Sequence, residues 1–134
     1  MARRVKKPPA TRRRLATREP AALARLRALC LALPEAREKI TWATPTFRVR
    51  EKMFALCGSR ESRITVWLKA PASAQESLVA YDPERYFVPP YVGRAGWVGI
   101  YLDGRVPWAR VAALVDQSWR LVAPKKVAAK LLRP

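Results

Sequence analysis

The chain has 134 residues and a mass of 15.2 kDa, and half of its residues are hydrophobic, enough for one domain whose core needs neither disulfide nor metal. It carries 27 Lys and Arg against 10 Asp and Glu, a net charge of +17, and no histidine. These figures exclude an acidic metal buffer, Ser-His-Asp or Cys-His catalysis and any imidazole-ligated zinc site, and they make a polyanion the first partner to consider.

Residues 1–18 hold eight basic side chains and no acidic one, with Pro8, Pro9 and few large hydrophobes. They bury too little to offset ordering entropy and read as a disordered basic arm, leaving 19–134 as a single domain. Thr17 is the expected N-cap of a first helix near 18–33, in which Leu23, Leu26, Leu29, Cys30 and Leu33 recur at helical spacing until Pro34 stops it. The pattern then turns to strands: Thr46 to Val49, a turn at Arg50 to Lys52, and Met53 to Cys57. After a turn at Gly58 to Ser62, Arg63 to Lys69 alternates Ile64, Val66 and Leu68 with Arg63, Thr65, Trp67 and Lys69.

Ser73 and Glu76 have capping-box spacing and open a second helix with Leu78, Val79 and Tyr81. The rigid, aromatic stretch Tyr86 to Tyr91 follows, then a fourth strand from Trp97 to Leu102. Trp108, Val111, Ala112, Val115, Trp119 and Val122 mark an amphipathic helix, and Lys125 to Leu132 a short basic one. The expected fold is α+β: a small antiparallel sheet of about four strands with helices packed on one face. Cys30 and Cys57 lie in apolar stretches and read as buried thiols in a reducing compartment. No apolar run is long enough to cross a bilayer, and the basic N-terminus leads into no apolar stretch, so a cytoplasmic protein, a monomer without a membrane partner, is expected.

The segments TWATPTFRVREKMFALCG (41–58), ITVWLKAP (64–71), RYFVPPYVGRAGWVGIYLD (85–103) and SWRLVAPKKVAAKLL (118–132) resemble the MmcQ/YjbR family. The likeness runs from about residue 21 to 132. It implies a compact domain of the kind likened to frataxin-type and double-wing folds, and a bacterial protein of the sort labelled DNA-binding on structural grounds. By the resemblance, the family's lysine before its Phe-Ala strand falls on Lys52, its strand-ending Lys-Ala-Pro on Lys69, and its Pro-Tyr to Trp-Val segment on Pro90 to Trp97. The family's Ser-Tyr in the last helix is Ser118-Trp119 here, which removes a phenol.

Four constellations suit nucleic acid, because cations meet phosphates and flat rings stack on bases. Arg12, Arg13 and Arg14 lie in the arm. Arg48, Arg50 and Lys52 crowd a hairpin tip, as in a wing touching a DNA backbone. Arg63 and Lys69 share a strand face with Trp67, beside Trp97 and Tyr101, and Arg94 sits in a loop between two glycines. Lys125 and Lys126 open the terminal segment. DNA is the expected partner, and RNA suits the same residues. A second reading is a protein-interaction or small-ligand module whose groove uses Trp67, Tyr91, Trp97 and Tyr101 in the Tyr86–Trp97 region. No catalytic residue, metal site or cofactor is expected: Glu35/Glu38 and Asp82/Glu84 lie at element ends, where carboxylates serve as caps.

Overall fold

The computed structural model describes residues 20–132. The basic arm, with Arg12, Arg13 and Arg14, and the Thr17 cap lie outside the described residues. Helix α1 (Ala21–Leu31) is a run of Ala and Leu with two arginines, and it buries Leu26 and Cys30 one turn apart. Pro20, not Thr17, occupies its N-cap; the Pro20 carbonyl accepts from the amides of Leu23 and Ala24 at 3.0 and 3.2 Å.

Six strands follow rather than four: β1 (Ala36–Thr41), β2 (Thr44–Val49), β3 (Lys52–Arg60), β4 (Arg63–Leu68), β5 (Tyr86–Phe87) and β6 (Val98–Tyr101). They form one antiparallel sheet in the order β1-β2-β3-β4-β6-β5. The two added strands are β1, which is rich in charge, and β5, which is two residues long. Strand β3 also runs on through Gly58, so its turn is confined to Glu61-Ser62.

Three two-residue connections join the first four strands, and none contains glycine or asparagine. Trp42 and Ala43 have φ of 52° and 60°, Arg50 and Glu51 49° and 69°, and Glu61 and Ser62 54° and 65°. Two positive φ angles in a two-residue hairpin loop match the right-handed twist of the strands, the type I′ solution. Each costs an L side chain its left-handed penalty, which the ladders on both sides hold in place.

Alternation divides the sheet into two faces. Phe47, Ala55, Leu68 and Val98 face one another across β2, β3, β4 and β6, as do Cys57, Val66 and Ile100. Phe47 pairs with Ala55 but Arg48 with Met53, so Phe54 is an extra residue, a bulge that turns its ring into the core. On this face pack α1, α2 (Ala74–Tyr81), α3 (Trp108–Val122) and α4 (Lys125–Ala128), all contributing to one core cluster. Helix α3 buries Val111, Val115, Ser118 and Trp119 along one stripe. Trp119 Nε1 donates to the Pro34 carbonyl at 3.1 Å, and Arg27 of α1 clamps Glu38 of β1 at 2.7 and 2.9 Å. A 3₁₀ turn (129–132) ends the described chain.

The capping box at Ser73 does not form. Ser73 takes φ 71°, and its hydroxyl caps nothing in the helix; the Pro71 carbonyl accepts the Ala74 amide at 3.0 Å instead. Cys30 and Cys57 are buried and not joined in a disulfide, and burial pushes the Cys30 thiol far up, away from reactivity. No helix among the described residues is long and apolar enough to cross a membrane.

Candidate functional site

The helices of the described residues pack against the other face of the sheet, and only the start of α1, at Leu23, reaches the cavity on the second face. The ladder pairs place Arg37 beside Arg48, and Lys39, Thr46, Leu56, Trp67, Gly99 and Phe87 in one row across all six strands. A neighbouring row runs Gly58, Thr65, Tyr101, and Arg60 faces Arg63. Four buried hydrophobics on this side, Leu56, Phe87, Trp97 and Tyr101, stand outside the main core and form a second, thinner layer.

Arginines roof that layer. Arg63 lies 3.6 Å over the Tyr101 ring and donates to both carboxylate oxygens of Asp103, at 2.7 and 2.8 Å, which holds the Asp103 carboxyl below its ordinary range. Arg60 lies 4.6 Å over Phe87 and donates to Tyr101 Oη at 3.1 Å. Arg48 donates to Thr46 Oγ1, Thr41 Oγ1 and the Glu51 carbonyl, at 3.3, 3.2 and 3.1 Å. Those three acceptors are uncharged.

Beside these cations lies an open cavity of about 1010 Å³, lined by Trp42, Met53, Leu56, Arg63, Trp67, Tyr91, Val92 and Trp97, with Pro20 and Leu23 at the end where α1 begins. Trp67 faces Gly99, and both Trp67 and Trp97 line the cavity. Trp67 Nε1 donates to Thr65 Oγ1 at 3.1 Å, which leaves the indole face toward the cavity. At the rim stand Trp42, 77% exposed, and Tyr91, 92% exposed.

Tyr91 is held out by strain. It takes φ 66° and ψ −64°, and the Val92 amide donates to the Pro90 carbonyl at 2.6 Å, closing a γ-turn that only a well-supported loop sustains. The support is Gln75 of α2, whose Nε2 donates to the carbonyls of Gly93 and Trp97 at 2.8 and 2.6 Å. Gly93 sits against Val88 so closely that a Cβ there would stand 2.5 Å from it.

The structure thus gathers part of the expected set. Arg48, Arg63, Trp67, Trp97 and Tyr101 lie on the second face, and Tyr91 borders its cavity, whereas Tyr101 is covered by Arg63 and lines none of it. Lys69, one residue past β4, gives its amide to Ser118 Oγ at 2.9 Å. Arg94 is exposed on the 3₁₀ turn Val92–Ala95. Arg50 binds Glu35 at 2.6 Å, and Lys130 binds the same carboxylate at 2.8 Å. Lys52 is exposed where β3 begins, and Lys125 and Lys126 are exposed on α4, which packs on the opposite face. Arg37, Lys39, Arg60 and Trp42 join the face, although sequence reasoning does not single them out. The alternation Arg37-x-Lys39 is the readable signal for two of them, once β1 is known to pair with β2.

A family model described as YjbR matches residues 31–121. The chain is 29% identical over 97 residues to the uncharacterized protein YjbR of Escherichia coli K12, covering 68% of this chain and 78% of that one; the YjbR protein of Escherichia coli O157:H7 gives the same figures. The crystal structure of Deinococcus radiodurans protein DR2400, with domain DUF419, is similar with a TM-score of 0.70 and 25% identity, covering 84% of this chain and 88% of that one.

Proposed function

The chain belongs to the YjbR family, and from that premise we propose that it binds nucleic acid, DNA foremost, chiefly through the phosphates. One observation carries this reading: Arg37, Lys39, Arg48, Arg60 and Arg63 share the second face of the sheet, and among the described residues only Arg63 has a carboxylate partner there. Cations grouped on one face in excess of their carboxylate partners attract a polyanion and release its condensed counterions on contact. The eight cations of residues 1–18 add to the same field. In this reading the protein is a bacterial cytoplasmic monomer that binds and does not catalyse. RNA phosphates suit the same cations.

The test is a salt titration on a duplex oligonucleotide. About six phosphate contacts give a slope of log affinity against log salt near −5. Deleting residues 1–18 weakens binding several-fold while circular dichroism is unchanged. A flat salt response, or no binding at low salt, removes the reading. The cavity beside the cations favours a second reading, a small-ligand module using Trp67, Tyr91 and Trp97; its mark is binding that salt does not weaken.

A further inference from the structure

The cavity and the cations are adjoining parts of one surface, and their chemistry points to a narrower ligand than a duplex. We propose that the cavity receives an unpaired base, so that the protein selects single-stranded DNA; this rests on the phosphate-binding reading above. Large aromatics at the mouth of an apolar cavity are costly to leave in water unless something covers them. Trp42 and Tyr91 stand 77% and 92% exposed at this mouth, and Tyr91 is kept there by the γ-turn at Pro90–Val92. Leu56, Trp67 and Trp97 make the apolar wall behind them.

The occupant must bring a flat apolar face and negative charge together. Lys39 and Arg48 lie on the same side of the sheet, and Arg63 lines the cavity itself. A strand threaded between these groups sets its phosphates against cations while a base turns into the cavity. Bases in a duplex have both faces covered by their neighbours, so they offer Trp42 and Tyr91 nothing to stack on. Bases of a single strand do, whatever their sequence.

The probe is tryptophan fluorescence of the full chain, titrated with a thymidine oligomer, an abasic oligomer of equal length, and a duplex. The thymidine oligomer binds about ten-fold tighter than the abasic one, which carries the same phosphates. Trp42→Ala and Tyr91→Ala each lower thymidine-oligomer affinity by about ten-fold and leave abasic binding unchanged. Both side chains are exposed, so folding is not at stake. Equal affinity for the three ligands, with neither variant changing it, overturns the base-binding inference and leaves the phosphate reading standing. Failure of all three to bind at low salt overturns both.

Discussion

The ring of Phe87 lies across Gly99: a Cβ built on that glycine would stand 2.2 Å from Phe87 Cζ and 2.3 Å from Cε2. Phe87 in turn packs on Tyr101, with ring centroids 4.8 Å apart, and carries Arg60 above it. Gly99 is therefore the space that lets the aromatic layer close on the sheet. Gly99→Ala pushes the Phe87 ring off its seat and destabilises the domain by about 1–3 kcal/mol. Adding Phe87→Leu recovers part of the loss, because the two positions share one volume. Thermal unfolding of the two single variants and the double variant measures this; additive losses would show that the ring and the glycine do not compete.

The Ser118 hydroxyl joins three elements. Fully buried, it donates to the Phe54 carbonyl at 2.6 Å and accepts from the Lys69 amide at 2.9 Å, fixing α3 to the β3 bulge and the end of β4. Ser118→Ala leaves both backbone groups unpaired in the interior and costs about 2 kcal/mol. Urea unfolding should show a lower midpoint with an unchanged slope. An unaltered midpoint would mean that water replaces the hydroxyl.

Glu51 sits second in a two-residue hairpin at φ 69°. Its carbonyl, not its side chain, receives Arg48, so removing the side chain removes no hydrogen bond described for it. Glu51→Gly relieves the left-handed penalty and stabilises the protein by about 0.5–1 kcal/mol after the added freedom of the unfolded chain is counted. The melting temperature rises. A fall would show that the penalty had already relaxed.

Hydrogen bonds from Arg50, then from Lys130, lower the Glu35 carboxyl from 4.5 to about 2. A depressed carboxylate stabilises the fold when ionised, so its contribution is whole at neutral pH, erodes below about 4.5 and is gone below about 2. Salt shrinks it, since all three groups meet water. A carbon-detected titration should place the Glu35 midpoint near 2 and move it upward in Arg50→Ala, less so in Lys130→Ala. An unmoved midpoint in both variants would deny the pairing.

Much of the fold is legible in the sequence because its burial is periodic. The alternation of Ile64, Val66 and Leu68, and the spacing of Val111, Val115 and Trp119, reflect direct contact with the core, and both elements stand where the periodicity puts them. Strand β1 is not readable in the same way. Ala36-Arg-Glu-Lys-Ile-Thr places three charges in a row at a sheet edge, and its hairpin turns on Trp42-Ala43 without glycine or asparagine. Ser73 misleads in the opposite sense, with the right residue at the right spacing in the wrong backbone conformation. At the site, Trp67 and Tyr91 are visible as types in context. The partners of Arg50 and Arg63 are not, since Glu35 and Asp103 lie 15 and 40 residues away in sequence. Which cations keep their charge depends on such long-range pairs, and only the folded register supplies them.

The two margins of the sheet also bear on how the chain behaves in a crowd. One is β1, with Arg37 and Lys39 along it, and the other is β5, two residues long and followed by Val88, Pro89 and Pro90. Like charges repel a second copy at the first margin, and prolines deny it amide donors at the other. The cations along β1 thereby discourage fibril growth at that margin, and a substitution that neutralises them would open it while leaving the proline-guarded margin as it is.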